Sequence, residues 1–164
     1  MCFNIFHALC GPEEALVIRS VGGSSVRFVI GGSALVWSFV ETCERIPLNK
    51  IRLEVKTRKV FTARGVPISL DGVAVVRIDS SNEEALALAA EVFRRKSLDE
   101  IGDICMTIVE HHQREVLFSM TPEVVFINRK QFAKNVTTSA SEDLKKKGVE
   151  ILEFEVSDIL GIIE

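Results

Sequence analysis

Three observations predict an α+β fold. Short β-branched and aromatic runs fill the chain up to about Asp79, and the apolar period changes from two to helical at Ser81. An alternating run, VEILEFEV, then returns after Gly148. Strands, then helices, then a strand describe a sheet closed by a late return strand, with helices on one side. At 164 residues the chain is one ordinary domain, long enough to bury roughly 70% of its unfolded surface.

The chain opens MCFNIFHALC, an apolar stretch that needs a surface to bury against, and turns at Gly11-Pro12. ALVIRS, VRFVI and SALVWSFV then read as strands separated by Gly22-Gly23 and Gly31-Gly32 turns. In KIRLEVK, Ile51, Leu53 and Val55 alternate with outward Lys50, Arg52, Glu54 and Lys56. KVFTA is the next strand, and after Arg64-Gly65 a long one follows with Val66, Ile68, Leu70, Ala74, Val76 and Ile78 on one face. Pro67 near its start argues for an edge position, because proline cannot donate to a ladder.

Two capping boxes open the helical part. Ser81-Asn82-Glu83-Glu84 precedes a helix through EALALAAEVFRRK, with Leu86, Ala90 and Phe93 on its stripe. Ser97-Leu98-Asp99-Glu100 opens a second helix to about Met120, with a stripe of Leu98, Ile101, Cys105, Ile108, His112 and Val116. Thr121-Pro122 restarts helix, and a last one spans about Asn128 to Lys147, where three lysines suit the C-terminal dipole before Gly148 stops it.

Composition narrows the function classes. Apolar residues make up 47% and charged residues 26%, so the chain is globular, and its mean hydropathy of +0.24 is high for a fully soluble domain. No run approaches the roughly 20 apolar residues of a transmembrane helix, and the front lacks the basic start and small-residue cleavage site of a signal peptide. Net charge is −3, which gives no general pull toward nucleic acid. The four cysteines (Cys2, Cys10, Cys43 and Cys105) show no CxxC spacing, against a zinc ribbon or thioredoxin motif.

No catalytic motif stands out. Glu110-His111-His112-Gln113-Arg114-Glu115 places His111 and Glu115 one helical turn apart, as two metal ligands would be, yet it is not HExxH and no third ligand is evident. The bland reading is a core-side His112 and a Glu110–Arg114 surface pair. The glycine pairs match neither a phosphate loop nor a dinucleotide fingerprint, so neither metal nor cofactor is expected.

Three features bear on surfaces. From Lys50 to Arg64 the chain carries six bases and one acid, so Lys50, Arg52 and Lys56 on one strand with Arg58 and Lys59 on the next would form a positive face. That face is either a solvated sheet surface or a contact for anionic headgroups, where each base adds about 1 kcal/mol. SALVWSFV puts Leu35, Trp37 and Phe39 on one face and Ala34, Val36 and Val40 on the other, as a strand buried on both sides or an interfacial belt would. Finally, Cys2 and Cys10 flank Phe3, Ile5, Phe6 and Leu9. Position two is not glycine, which excludes myristoylation, whereas two S-acyl chains would anchor stably. Cys105 reads as inert core.

The segments CGPEEALVI, RIPLNKIRLEVKTRKVFTARGVPISLDGVAVVRI, EHHQREVL, MTPEVVFINRKQFAKNV and KKKGVEILEFEVSDI together resemble flotillins, of the SPFH or band 7 group. The resemblance runs from about Cys10 to Asp158, and GVPIS-x-x-G-x-A-x-V-x-I is its most specific part. It implies a curved, mostly antiparallel sheet with packed helices, resting on the cytoplasmic leaflet of plasma membrane and endosomes. It also implies a non-enzymatic microdomain (lipid raft) scaffold held by acylated cysteines. Cys10 matches a cysteine before Gly-Pro, Phe39 stands where some members carry a further acylated cysteine, and the absence of tyrosine removes tyrosine phosphorylation.

On this reading residues 1–10 contact the membrane, 11–159 form the SPFH domain, and 160–164 begin a following helical region. Cys2 and Cys10 carry acyl chains. Phe3, Ile5, Phe6, Leu9, Trp37 and Phe39 dip into the interface, and Lys50, Arg52, Lys56, Arg58 and Lys59 face anionic lipid. The expected partners are raft lipids and other flotillin-like chains in homo- or hetero-oligomers, not nucleic acid. The alternative is a soluble interaction module whose apolar N-terminus packs on a partner chain.

Overall fold

The computed structural model describes residues 5–23 and 25–161. Its elements in chain order are β1 (Ile5–Ser20), β2 (Val26–Trp37), β3 (Glu41–Pro47), β4 (Ile51–Phe61), β5 (Pro67–Ile78), α1 (Glu83–Val92), α2 (Leu98–Ser119), α3 (Pro122–Ile127), α4 (Arg129–Lys145) and β6 (Val149–Gly161). The α+β class holds, and every strand pairing is antiparallel. The strands divide into two three-stranded sheets, β2-β1-β3 and β4-β5-β6, where the sequence suggested one.

The first sheet is bent back on itself. Gly31-Gly32 does not turn the chain; β2 runs through it. Cys10 pairs with Gly32 and Ala15 with Ile30, so residues 11–14 of β1 stand opposite Gly31 alone. Such an insertion bends both strands, and Gly31 absorbs part of the bend at φ +57. The consequence shows at Arg27, whose Nη2 donates to the Leu35 carbonyl eight residues along the same strand at 3.4 Å. A flat strand would separate those residues by about 26 Å. The ribbon of Ile5–Cys10 and residues 32–37 therefore folds over the rest of the sheet. Beneath it Ala8, Ala34 and Val36 pack on Leu16 and Ile18 as a small second core.

The other face of β1, Ala15 and Val17, joins Ile46 of β3 in the main core. Strand β3 has no apolar alternation to announce it: in ETCERIP only Ile46 is buried, and it forms because Glu14 to Ser20 offers it a ladder.

In the second sheet KIRLEVK and KVF are one strand, β4, with a bulge between Thr57 and Val60 that Lys59 enters at φ +49. β5 is central rather than at an edge. Pro67 is tolerated because it is the first residue of the strand, opposite Phe61 and before the first β6 pair, Ile68 with Gly161. Ile68, Leu70, Ala74, Val76 and Ile78 are buried as the alternation predicts, while Val66 is exposed. α2 lies along β4 and α4 along β6. The boundaries drawn from sequence at 10/11 and 159/160 both fall inside strands, β1 and β6.

The helices start nearly where their caps predict. Ser97 and Glu100 form both halves of their box. At α1 the cap is Asn82, which accepts from the Glu84 amide, because Ser81 is held by the Asp79 carboxylate. The buried stripe of α2 is Ile101, Cys105, Val109, Gln113, Val116 and Leu117, one residue round from the expected stripe at Ile108 and His112. Gln113 is fully buried and donates to the Leu70 carbonyl at 3.3 Å, a polar side chain in an apolar row.

Candidate functional site

The folded-over ribbon carries a row of exposed apolar side chains. Cross-strand pairs share a face, so Ile5 with Trp37, His7 with Leu35, and Leu9 with Ser33 point one way. That way is outward: Ile5 is 46% exposed, Leu9 64%, Leu35 58% and Trp37 46%. Phe39, in the turn after β2, is 73% exposed, and Val40 beside it is also open. The alternate set, Ala8, Ala34 and Val36, is buried against the second core, which leaves Ile5, Leu9 and Leu35 on the exposed side of the ribbon. Leu35 belongs to this face by register, as its alternation with Trp37 predicts.

The turn that carries Phe39 is held firmly. The Trp37 amide donates to Glu41 Oε2 at 3.0 Å, Val40 N–H to the Trp37 carbonyl at 3.0 Å, and Val21 N–H to the Val40 carbonyl at 2.7 Å. Arg27 closes the other side, 3.2 Å from Glu41 Oε1. The apolar tip is thus presented on a fixed backbone.

The remaining sequence-derived positions are spread out. Cys2 and Phe3 lie outside the described residues. Phe6 and Cys10 fall on the inner side of the ribbon, opposite Ile5 and Leu9. Phe6 is nonetheless 45% exposed at the ribbon's end, whereas Cys10 is half-buried against the second core. The Cys10 thiol donates to the Glu14 carbonyl at 2.8 Å, inside the bulge. Cys43 lies beside the same small core, where burial raises its thiol pKa above 9.0 against the pull of Arg45.

The basic residues do not make a uniform face. Arg58 and Lys59 belong to β4 itself, not to a following strand, because the bulge lets β4 run on to Phe61. Arg52, Lys56 and Arg58 are exposed, but Glu54 interrupts them and lies 3.6 Å from Lys56. Arg58 is engaged with Asp71 at 3.2 Å. Lys50 is exposed just before the strand.

His112 bridges helices. Its Nδ1 lies 3.1 Å from the Glu115 carboxylate and its Nε2 2.9 Å from that of Asp143 on α4. The hydrogen bonds from Lys146 and His112 hold the Asp143 carboxyl below the usual carboxylate range. His111 points away, 67% exposed, 3.4 Å from Glu115. The described residues contain no group of three or more histidine, cysteine or acidic side chains arranged to hold a metal ion. Nor does any helix among them have the length and apolarity to cross a membrane.

Two sheets, helices on one side and a late return strand define the SPFH architecture, and the comparison bears this out: the SPFH domain / Band 7 family matches residues 9–160, so the chain belongs to that family. Within it the chain is similar to flotillin-1 of Drosophila melanogaster, 39% identical over 150 residues. It is 38% identical to flotillin-1 of Homo sapiens and 35% identical to that of Carassius auratus, in each case over 92% of this chain. The chain spans about a third of the length of these relatives, 35% of the first two. The family is one of membrane-associated, generally non-enzymatic scaffolds.

Proposed function

We propose that this domain rests on a bilayer and serves as the membrane-contacting part of a microdomain scaffold on the cytoplasmic leaflet, clustering membrane proteins or supporting endocytosis. The observation that carries the reading is the outward row Ile5, Leu9, Leu35 and Trp37, with Phe39 in the turn that follows, an exposed apolar set that shares its face with His7 and Ser33. An exposed contiguous apolar patch marks a contact site, and a ribbon one strand-layer thick fits the shallow interfacial zone, where tryptophan is favoured. Arg52 and Lys56 add attraction to anionic headgroups, reduced by Glu54.

Acylation of Cys2 and Cys10 belongs to the same proposal. At Cys10 it requires the thiol to leave the Glu14 carbonyl, so the ribbon opens before the chain is attached. The domain acts by placement rather than catalysis, and sister flotillin-like chains are its partners.

The test is flotation of the purified chain on phosphatidylcholine–phosphatidylserine vesicles, beside a Leu9→Glu/Leu35→Glu variant whose circular dichroism matches the wild type. The wild type floats and the variant stays at the bottom. Equal flotation of both would overturn the ribbon as the contact. A wild type that ignores lipid but elutes with a protein partner would establish the apolar front as a protein-docking surface. In cells, a Cys2→Ser/Cys10→Ser variant that still floats would make acylation secondary.

A further inference from the structure

Between α4 and the open side of β6 runs a groove of about 630 Å³. Arg129, Lys130, Lys134, Thr137 and Thr138 line one wall, and Leu152 to Val156 line the other. β6 ends the order β4-β5-β6, so among the described residues its outer backbone groups have no ladder partner. Its alternation sends Phe154 and Val156 inward to the main core, and Glu153 and Glu155 to the face away from the helices. The three bases are exposed and form no ion pair among the described residues, whereas Lys146, just past the end of α4, engages Asp143 at 2.6 Å. The Thr137 and Thr138 hydroxyls donate to the carbonyls of Ala133 and Lys134, so they offer an anion no hydrogen and the bases set the preference of this wall. α4 leads into β6 through the turn at Lys146 to Gly148, and the two run side by side. Lys130 and Lys134 are one helical turn apart, a rise of about 6 Å. Alternate residues of an extended strand are about 6.6 Å apart. A strand laid in the groove therefore brings every second side chain to a successive base.

We infer that the groove takes an extended, acid-bearing segment of a partner protein, which adds to β6 as a further strand of the second sheet. Its inward residues are acids, one meeting Lys134 and the next meeting Lys130 and Arg129. Its outward residues are bases or uncharged, because they come to lie beside Glu153 and Glu155, and like charges across a strand pair oppose it. Main-chain hydrogen bonds to the open ladder supply affinity, and the alternating side chains supply selectivity, as in strand addition at other sheet edges. A second copy does not offer such a segment through β4, whose inward residues Leu53 and Val55 are apolar and already buried. The inference goes beyond membrane contact and does not rest on it, since the groove borders the second sheet and the apolar ribbon belongs to the first.

The probe is the peptide Thr-Glu-Lys-Glu-Lys-Glu-Thr, blocked at both ends. Beside it stand an isomer that groups the glutamates ahead of the lysines, and a fully N-methylated form that keeps the charges but cannot donate to a ladder. Binding to the chain is followed without lipid, by calorimetry and by backbone amide chemical shifts. The alternating peptide binds saturably below about 1 mM, shifts the amides of Leu152 to Val156, and weakens as salt is added. The isomer and the methylated form bind at least tenfold more weakly, and so does the alternating peptide to a Lys130→Glu/Lys134→Glu variant. Equal binding of all three peptides would reduce the groove to a nonspecific ionic contact and overturn the inference, as would shifts that spare Leu152 to Val156. Absence of binding by the alternating peptide also overturns it. If the wild type then floats on phosphatidylserine vesicles and the Lys130→Glu/Lys134→Glu variant does not, the basic stripe is a lipid contact instead. If that variant fails to fold, the comparison of the three peptides on the wild type decides alone.

Discussion

Gly148 has no room for a side chain. A Cβ there would lie 2.0 Å from the Ala85 carbonyl oxygen and 2.8 Å from the Ala89 nitrogen, and its φ is +73. Gly148→Ala should therefore cost at least about 2 kcal/mol in urea unfolding, combining left-handed strain with displacement of α1. Gly22→Ala, equally left-handed but in open space, should cost only about 1 kcal/mol. Equal losses would show that the approach of α1 contributes nothing. Cys105 is fully buried, and that burial raises its thiol pKa from 9.0 to about 11 although Lys147 pulls the other way. The folded state then favours the neutral thiol, so its contribution is intact below pH 9 and is lost as pH rises from 9 toward 11. Cys105→Ala should flatten that alkaline loss of stability, and a thiol reagent at pH 8 should reach Cys105 only through unfolding. An inert Cys105 was legible from its place on the helical stripe. Buried Gln113 was not, because a glutamine carries no apolar signal; its amide enters the core by donating to the Leu70 carbonyl.

At the level of elements, α2 is set at its start. Ser97→Ala should destabilise the domain by about 1 kcal/mol, read by thermal unfolding at neutral pH. Hydrogen bonds from the Ser97 backbone and side chain hold the Glu100 carboxyl below the usual range. Its contribution is therefore present above the ordinary carboxylate pKa and lost as pH falls from there through the lower folded value. Glu100→Gln should soften the acid limb of the stability curve, and an unchanged limb would remove the box from the account. Caps were readable because they rest on local chemistry within four residues, and only Ser81 misled, since Asp79 claims it. Elements that depend on distant partners were hidden. β3 carries one buried residue, Ile46, and exists because β1 has an edge to offer. The Gly31-Gly32 pair reads as a turn, and only the extra residues of β1 opposite Gly31 convert it to a bend within β2. The same hidden bend divides the candidate site: alternation correctly grouped Leu35 with Trp37, while the half-burial of Cys10 and the exposure of Ile5 and Leu9 follow from the fold-over.

The whole molecule has two cores of unequal size. The main one joins both sheets and the helices, whereas the second consists of Ala8, Leu16, Ile18, Ala34 and Val36 with a few half-buried neighbours. Less apolar burial means a lower free energy of local opening. Amide hydrogen exchange should be faster at Ile5–Cys10 and residues 33–37 than along β5 or α2, and equal protection would show that the ribbon is no weaker than the body. The two cores meet at Ala15 to Ile18 of β1, which is buried on both faces. That shared strand also fixes how the domain answers to a pull. A load normal to the ribbon peels Ala8, Ala34 and Val36 away one contact at a time. A load along β1 must instead shear the whole ladder from Glu14–Pro47 to Ser20–Glu41 at once. A load on the tip can lift the ribbon at small force, while the anchorage of β1 in the body holds.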